Sequence, residues 1–155
     1  MIANNWEIAK KQVNDWKLSG DRIVFTNGCF DIIHRGHVEY LNEAKTYGDK
    51  LVVALNSDNS VRRLKGNSRP IQIQEDRSII INALDSVDLV VIFDQKTPFK
   101  IINSLLPDIL VKGGDYTIDT IIGAETVIND GGKVKIIPFR IGQSTSNIIK
   151  KINKL

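Results

Sequence analysis

The stretch TNGCFDIIHRGH, residues 26–37, directly follows the apolar run Ile23-Val24-Phe25 and leads into a segment with helical spacing. This order is typical of a buried strand that exits into the first turn of a helix. Gly28 allows the backbone to come close to a ligand at the strand exit, and the free N–H groups at a helix start favour an anion. The stretch therefore predicts a binding loop for a phosphorylated ligand.

Two histidines, His34 and His37, stand three residues apart in this stretch, and Gly36 between them leaves room for a phosphate. One helical turn points both side chains at the same small volume. There they can donate hydrogen bonds to phosphate oxygens whose charge grows during phosphoryl or nucleotidyl transfer, without a covalent nucleophile. Two other interpretations stay open. The histidines are ordinary surface groups, or they bind zinc together with Cys29.

Short continuous apolar runs alternate with helical patterns along the rest of the chain. Such runs suit strands that are buried on both faces, and the intervening helices suit right-handed crossovers. The sequence therefore predicts a Rossmann-like, doubly wound α/β fold with a five-stranded parallel sheet and helices on both faces. The predicted strands are 23–25, 51–55, 89–93, 109–111 and 134–137. Ligands of such folds bind beyond the carboxyl ends of the strands, where the strand order reverses.

The first 20 residues have the spacing of an amphipathic packing helix over about residues 4–18, which ends near Gly20. The apolar residues that set this spacing are Trp6, Ala9, Val13 and Trp16. Three further helix signals are a cap with a first-turn proline, a terminating glycine and a capping serine: Thr97-Pro98, Gly48 and Ser144. No repeat or linker interrupts the chain, so residues 1–155 are predicted to form a single domain.

The composition limits the classes of protein that the chain can belong to. Its 155 residues suffice for one domain with a full core, and 42% hydrophobic with 25% charged residues argue against disorder. No apolar run approaches the roughly 20 residues of a membrane span, and the start lacks a signal-peptide core. The net charge of +3 is too small to indicate nucleic acid, and a single cysteine suits a reducing compartment. We therefore expect a cytoplasmic protein that binds neither membrane nor nucleic acid.

Four stretches, in this order along the chain, resemble the cytidylyltransferase-like family of nucleotidyltransferases. They are FTNGCFDIIHRGHVEYLNEAK (25–45), VALNSDNSVRRLKGNSRPI (53–71) with the following EDR, LVKGGDYT (110–117) and PFRIGQSTSNII (138–149). Within the family, the likeness is greatest to the D-glycero-β-D-manno-heptose 1-phosphate adenylyltransferases, and it extends over nearly the whole chain from Asp21 onward. The HxGH motif alone would be a weak signal, but four ordered motifs are specific.

The resemblance implies roles for residues of all four motifs. His34, His37 and Lys65 would be catalytic. A phosphate of the substrates would be bound by Arg63, Lys65, Arg77 and Lys112, with residues 62–66 as a flexible basic loop. The nucleotide-binding residues would be Thr26, Asn27, Gly28, Cys29, Phe30, Gly36, His37, Gly113, Asp115, Ser144, Thr145 and Ser146. Ser146 stands where the family usually has threonine, and it keeps the hydroxyl. No protein-bound metal is predicted.

Simpler interpretations of several of these residues stay open. Lys65 can belong to a solvated basic turn, and Arg77 can pair locally. Asp115 can be the carboxylate of a Gly-Gly-Asp bend rather than an acceptor for ribose hydroxyl groups. A plain helix cap would explain one residue of the Ser144-Thr145-Ser146 cluster, whereas hydroxyls and N–H groups at a helix start also suit an anion.

The function implied by the resemblance is the transfer of AMP from ATP to D-glycero-β-D-manno-heptose 1-phosphate, which yields ADP-heptose and pyrophosphate for the lipopolysaccharide inner core. Mg²⁺ is expected with the triphosphate. The partners would be ATP and the sugar 1-phosphate, with a possible homodimer and a separate sugar kinase. The alternatives are a cytidylyltransferase for glycerol 3-phosphate or a similar alcohol phosphate, and a non-catalytic nucleotide-sensing module.

Overall fold

A single parallel sheet runs through the computed structural model, which describes residues 1–138 and 144–155. The strands are β1 (Ile2–Ala3), β2 (Ile23–Gly28), β3 (Lys50–Asn56), β4 (Leu89–Phe93), β5 (Ile109–Gly113) and β6 (Lys133–Ile137). The helices are α1 (Trp6–Leu18), α2 (Arg35–Lys45), α3 (Asp58–Lys65), α4 (Gln74–Asn82), α5 (Phe99–Leu105), α6 (Ala124–Asn129) and α7 (Thr145–Ile152), and a 3-10 turn at Ile118–Thr120 precedes α6.

The predicted Rossmann-like class is confirmed, but the predicted number of five strands was wrong. All five predicted strands are present, and a sixth, β1, lies at the sheet edge, where Ile2 pairs with Val90 and Ala3 with Val91. Two residues are too few to show a periodic apolar pattern, so the sequence gives no signal for this strand.

The order of the strands, β1-β4-β3-β2-β5-β6, reverses direction at β2. From β2 the chain proceeds to β3 and β4 on one side of the sheet, and to β5 and β6 on the other. β2 and β5 are paired only at Val24↔Ile109 and Phe25↔Leu110, whereas β2 and β3 are paired along six positions from Ile23 to Gly28. The carboxyl ends of β2 and β5 therefore diverge, and a crevice opens at this reversal.

Helices cover both faces of the sheet, as predicted. One core joins the sheet to α1, α5 and α6 through residues such as Val13, Ile102 and Val127. The other joins it to α2 and α4 through residues such as Leu41 and Ile81. Because both faces are buried, the central strands consist of continuous apolar runs. No helix within 1–138 and 144–155 is both long and apolar enough to cross a membrane.

The local helix signals had mixed outcomes. The N-terminal packing helix and the Ser144 cap are confirmed, since Ser144 Oγ accepts a hydrogen bond from the N–H of Asn147. Helix α5 begins one residue later than predicted, with Pro98 rather than Thr97 at its N-cap. The basic stretch 62–66 is not a flexible loop, because residues up to Lys65 belong to α3. Ser57 caps that helix through the N–H of Ser60, so the strand exit continues directly into it.

Candidate active site

A cavity of about 560 Å³ lies in the crevice at the carboxyl ends of β2 and β5. It is bounded by the start of α2, the end of α3, the loop after β4 and the start of α7. Most of the residues that the sequence predicted for the site line it: Asn27, Gly28, Cys29, Phe30, His34, Gly36, His37, Lys65, Lys112, Gly113, Thr145 and Ser146. Four separate motifs therefore converge on one volume.

Four predicted residues lie beside the cavity without lining it. Thr26 is buried in β2, and its hydroxyl is 2.6 Å from that of Tyr40. Arg63 turns away and forms an ion pair with Asp94, with its Nη2 3.2 Å from Oδ2. Asp115 is exposed in the turn after β5, and Ser144 accepts the capping hydrogen bond of α7. In each case the next residue along the chain lines the cavity.

The side chain of Arg77, predicted to bind a substrate phosphate, is fully buried and does not line the cavity. Each of its three nitrogens already donates a hydrogen bond within the protein. The acceptors are the carbonyls of Gln72 at 2.9 Å and Cys29 at 2.6 Å, and the Asp58 carboxylate at 2.7 Å. Because each nitrogen is engaged within the protein and the side chain does not line the cavity, Arg77 is not placed to bind a ligand there. It fastens the start of α4 to the loop after β2 and to α3.

The loop after β2 has an unusual backbone. Phe30 and Ile32 have positive φ angles of 46° and 56°, a region that side chains other than glycine rarely occupy. Gly28 permits the resulting turn, because a Cβ atom at this position would lie 2.8 Å from the Phe30 ring. The Phe30 ring packs edge-on against His37, with the ring centroids 5.3 Å apart. The strained turn therefore supports one of the two histidines.

The two histidines stack against each other at the start of α2, with ring centroids 3.8 Å apart and an interplanar angle of 23°. His34 is the N-cap residue, and its Nδ1 accepts a hydrogen bond from the N–H of Gly36 at 3.1 Å. An imidazole that accepts through Nδ1 carries its proton on Nε2 when neutral. His34 therefore has an N–H group that can be donated to a ligand in the cavity.

Both histidines are held in their neutral form at pH 7. Burial, together with the neighbouring His34, lowers the pKa of His37 to about 4, and burial also lowers the pKa of His34. His37 Nδ1 is buried without a hydrogen-bond partner among the described residues. An unpaired lone pair there costs less than an unpaired N–H, which favours a proton on Nε2. The stacked pair can then present two neutral N–H groups rather than a double positive charge.

Cys29 lines the cavity, but its surroundings do not activate it. Burial raises the pKa of its thiol, although Lys65, Arg77 and Arg69 partly oppose this effect. A nucleophilic cysteine needs the opposite shift. Its Sγ lies 3.9 Å from Asn56 Oδ1. Across 1–138 and 144–155, no three His, Cys, Asp or Glu side chains are grouped as metal ligands, and this includes Cys29 with the two histidines.

Cationic side chains dominate the charge of the cavity. Lys65 ends α3, Lys96 follows β4, and Lys112 reaches from β5 toward Asn27, with Nζ 3.4 Å from Oδ1. Burial lowers the pKa of Lys112. Lys112 is half-buried, and no carboxylate among residues 1–138 and 144–155 pairs with its ammonium group, so an anionic ligand would stabilise it. The arrangement therefore favours a polyanion such as a triphosphate.

About half of the cavity lining consists of residues to which the sequence assigned no role. Two of them, Asp31 and Leu64, lie within the predicted site stretches 26–37 and 62–66, and the others are Tyr40, Asn56, Arg69, Lys96, Thr97, Pro98, Tyr116 and Ile122. Several lie within the motifs themselves, so treating every polar residue of a motif as a candidate would have included Asp31 and Arg69. Lys96, by contrast, lies in the loop after β4, which the sequence analysis did not connect to the site.

A family comparison agrees with this geometry. The model of the family described as Cytidylyltransferase-like matches residues 25–151, most of the chain and all four motifs. The chain belongs to this family. The prediction of a nucleotidyltransferase family is thereby confirmed, and both stacked histidines lie within the matched range.

Two curated relatives illustrate how this cytidylyltransferase-like chain relates to longer proteins. It is 55% identical over 138 residues to the bifunctional protein HldE of Geobacter sulfurreducens, and 52% identical over 143 residues to that of Wolinella succinogenes. The matches cover 89% and 92% of this chain but 28% and 29% of the relatives. The chain therefore spans less than a third of the length of these relatives.

Two solved structures share the fold. The lipopolysaccharide core biosynthesis protein of Thermoplasma volcanium has a TM-score of 0.62 and 33% identity, covering 78% of this chain and 98% of that one. Pantoate-beta-alanine ligase of Francisella tularensis has a TM-score of 0.64 at 17% identity, covering 100% of this chain and 78% of that one. The second likeness shows the fold alone.

Replacing Arg77 with leucine tests its structural role in this cytidylyltransferase-like chain. The substitution leaves the Asp58 carboxylate and two carbonyls without their donor, so we expect the free energy of unfolding to fall by about 3–5 kcal/mol. Urea denaturation measures this loss. Arg22→Leu is the matched control, because Arg22 forms an exposed pair with Asp49. Its loss should stay below about 1 kcal/mol. Equal losses in the two variants would contradict the structural role.

The low pKa of His37 predicts how stability depends on pH. Unfolded His37 takes up a proton as the pH falls below about 6.5, whereas folded His37 does so only near 4. The protein should therefore lose stability between these values. In His37→Asn, the loss in unfolding free energy between pH 7 and pH 5 should be smaller by about 1 kcal/mol, discounted for partial exposure. Urea denaturation at both pH values measures it, and identical pH profiles would contradict the assignment.

Proposed function

We propose that the chain transfers AMP from ATP to D-glycero-β-D-manno-heptose 1-phosphate, yielding ADP-heptose and pyrophosphate for the lipopolysaccharide inner core. The observation that carries the proposal is the pair of stacked neutral histidines at the start of α2, inside a cavity lined by Lys65 and Lys112. Support for the heptose substrate comes from the four motifs, from the similarity to HldE proteins and from the similarity to a lipopolysaccharide core biosynthesis protein.

The chemistry of the proposed reaction suits the groups in the cavity. An oxygen of the sugar phosphate attacks the α-phosphorus of ATP, the bond from that phosphorus to the bridging oxygen breaks, and pyrophosphate leaves with the bonding electrons. A phosphate oxygen is already ionised at pH 7, so no general base is needed. What the reaction needs is donors to the oxygens that gain charge, and His34 and His37 supply neutral N–H groups for them.

The cations of the cavity have a separate task in this proposal. Lys65 and Lys112 neutralise the triphosphate and so reduce the repulsion that the second phosphate meets on approach. Mg²⁺ would enter with ATP as part of the substrate. Of the described residues that line the cavity, Asp31 alone has a carboxylate. That carboxylate already accepts hydrogen bonds from Arg69, Ile71 and Gln72. It therefore does not fit a dedicated magnesium ligand.

The proposal also includes a cytoplasmic location and a homodimeric assembly of the protein. A cytoplasmic site would give the enzyme access to ATP and to the product of a sugar kinase. A homodimer stays a prediction that sedimentation analysis can test.

The choice of substrates tests the proposal directly. We expect pyrophosphate release to be at least about tenfold more efficient, as kcat/KM, with ATP and heptose 1-phosphate than with CTP and glycerol 3-phosphate. A coupled pyrophosphate assay over both nucleotides and a panel of sugar and alcohol phosphates measures this ratio. Efficient release from CTP with glycerol 3-phosphate, and none from ATP with heptose 1-phosphate, would identify the cytidylyltransferase alternative. Nucleotide binding without turnover of any acceptor would identify a sensing module.

The histidines carry the mechanistic part of the proposal. Replacing His37 with alanine removes one well-placed donor, so kcat should fall by about 10²–10³ while the Kd for ATP changes much less. His34→Ala should behave in the same way, and Lys10→Ala on the exposed side of α1 is the control. Turnover, melting temperature and metal content are measured on the same samples. A lower melting temperature with normal turnover per folded molecule would return the histidines to a structural role, and bound zinc lost on mutation would indicate a metal site.

A further inference from the structure

Arg69 lies at the cavity wall, and most of its guanidinium has no acceptor in the part of the chain that the structure describes. Its side chain is 13% exposed, and it lines the cavity. The hydrogen bonds among the described residues engage only its Nε, which donates to Asp31 Oδ2 at 2.7 Å. Nη1 and Nη2, with four N–H groups between them, have no acceptor in that set. A largely buried guanidinium in this state is incomplete without a ligand or water.

Arg77 offers a contrast with Arg69, because both side chains are largely buried but differ in their contacts. The two arginines flank the same short segment, and both contact the loop after β2. Arg77 is fully buried, does not line the cavity and uses all three nitrogens on protein acceptors. Within 1–138 and 144–155, the Arg69 guanidinium uses one nitrogen, and the residue lines the cavity. Arg77 therefore has the contacts of a structural arginine, and Arg69 has those of a ligand-binding one.

Asp31 holds Arg69 in this orientation. Its side chain is fully buried, and besides Arg69 it accepts from the N–H groups of Ile71 at 2.8 Å and Gln72 at 3.0 Å. Burial raises the pKa of Asp31, but the hydrogen bonds from Gln72, Ile71 and Arg69 outweigh it and bring the pKa below its usual value. The carboxylate is therefore ionised, and it anchors both the guanidinium and the backbone that carries it.

The ion pair between Asp31 and Arg69 also removes a negative charge from the cavity wall. An unpaired Asp31 carboxylate would repel phosphate, and the pairing with Arg69 cancels that charge. The Thr145 hydroxyl at the start of α7 donates to the carbonyl oxygen of Asp31 at 2.7 Å, so Asp31 joins the α7 end of the cavity to the segment that carries Arg69. Arg69 lines the cavity, and its Nη groups have no acceptor among the described residues. Two such groups on one planar guanidinium match two oxygens of a phosphate group, a geometry that lysine cannot reproduce.

We propose that Arg69 is a phosphate-binding residue of the cavity and that Asp31 is its positioning residue. This inference rests on the proposed function for the identity of the ligands, the triphosphate of ATP and the phosphate of the sugar. Both sources present the same chemistry, a phosphate group with at least two charged oxygens. The experiment below distinguishes them.

Binding of ATP, inorganic pyrophosphate and heptose 1-phosphate is measured separately by calorimetry on the full chain and its variants. Arg69→Ala should weaken at least one of these by about 10- to 100-fold. Loss for ATP and pyrophosphate assigns Arg69 to the triphosphate, and loss for heptose 1-phosphate assigns it to the acceptor. Arg69→Lys keeps the charge but not the fork, and it should recover only part of the affinity. Unchanged affinity for all three ligands in Arg69→Ala overturns the proposal.

Arg22→Ala is the matched control. Arg22 also donates from Nε to an aspartate Oδ2, at 3.2 Å, but its partner Asp49 lies at the opposite end of the sheet from the cavity. Arg22→Ala should leave the affinities for all three ligands unchanged. A loss of affinity equal to that in Arg69→Ala would mean nonspecific attraction by net charge and would overturn the proposal. If Arg69→Ala does not fold, Arg69→Lys decides, because wild-type affinity in that variant would exclude a bidentate contact.

Asp31→Asn separates positioning from simple electrostatics by the sign of its effect. Removing a negative charge beside the cavity should strengthen phosphate binding if charge alone matters. If Asp31 positions Arg69, the substitution should instead weaken phosphate binding by about threefold or more. A cooperative melting transition shows that the variant is folded. Tighter phosphate binding would overturn the positioning role. If the wild-type protein binds ATP and pyrophosphate but not heptose 1-phosphate, the proposed acceptor is refuted, and the role of Arg69 is decided with the other two ligands. Binding of none would refute both proposals.

Discussion

The divergence of β2 and β5 is the constraint on which the rest of the site depends. Their pairing ends at Phe25 and Leu110, and beyond that point Tyr40 from α2 bridges the gap. Its hydroxyl lies 2.6 Å from Thr26 Oγ1 on β2 and 3.3 Å from the carbonyl oxygen of Val111 on β5. Burial raises the pKa of Tyr40 to about 12, so the hydroxyl stays a neutral group throughout the physiological range. Tyr40 therefore links the two diverging strands, and the histidines lie at the start of the helix that carries it.

Much of the fold follows from local patterns in the sequence. Continuous apolar runs locate five strands because both faces of the sheet are buried, and His34 and His37 are predictable as a pair because a helical turn brings residues three apart together. Strand β1 is not predictable, since its pairing with β4 depends on residues that are far away in the chain. The basic residues at the end of α3 indicate ligand contact more strongly than helix, so the sequence predicts a loop where the helix continues to Lys65.

The two arginines show why the site itself is harder to predict. Arg69 and Arg77 stand eight residues apart and lie in similar polar surroundings in the sequence. Their difference is the number of guanidinium nitrogens that protein acceptors occupy, and this number depends on Asp31, Asp58 and the carbonyl of Cys29. No spacing rule encodes those contacts. A motif resemblance favoured Arg77, and the three-dimensional contacts favour Arg69.

The distribution of charge follows from the proposed reaction. A phosphate nucleophile is already ionised, so the reaction requires no carboxylate as a general base. The charge of the Asp31 carboxylate is instead neutralised by Arg69. The two imidazoles stack at 3.8 Å, where two positive charges would repel each other, and neutral N–H groups can still donate to oxygens that gain charge in the transition state. Burial keeps both imidazoles neutral, and the permanent charges are left to lysine and arginine at the cavity walls. Binding and rate enhancement are thus assigned to chemically different side chains.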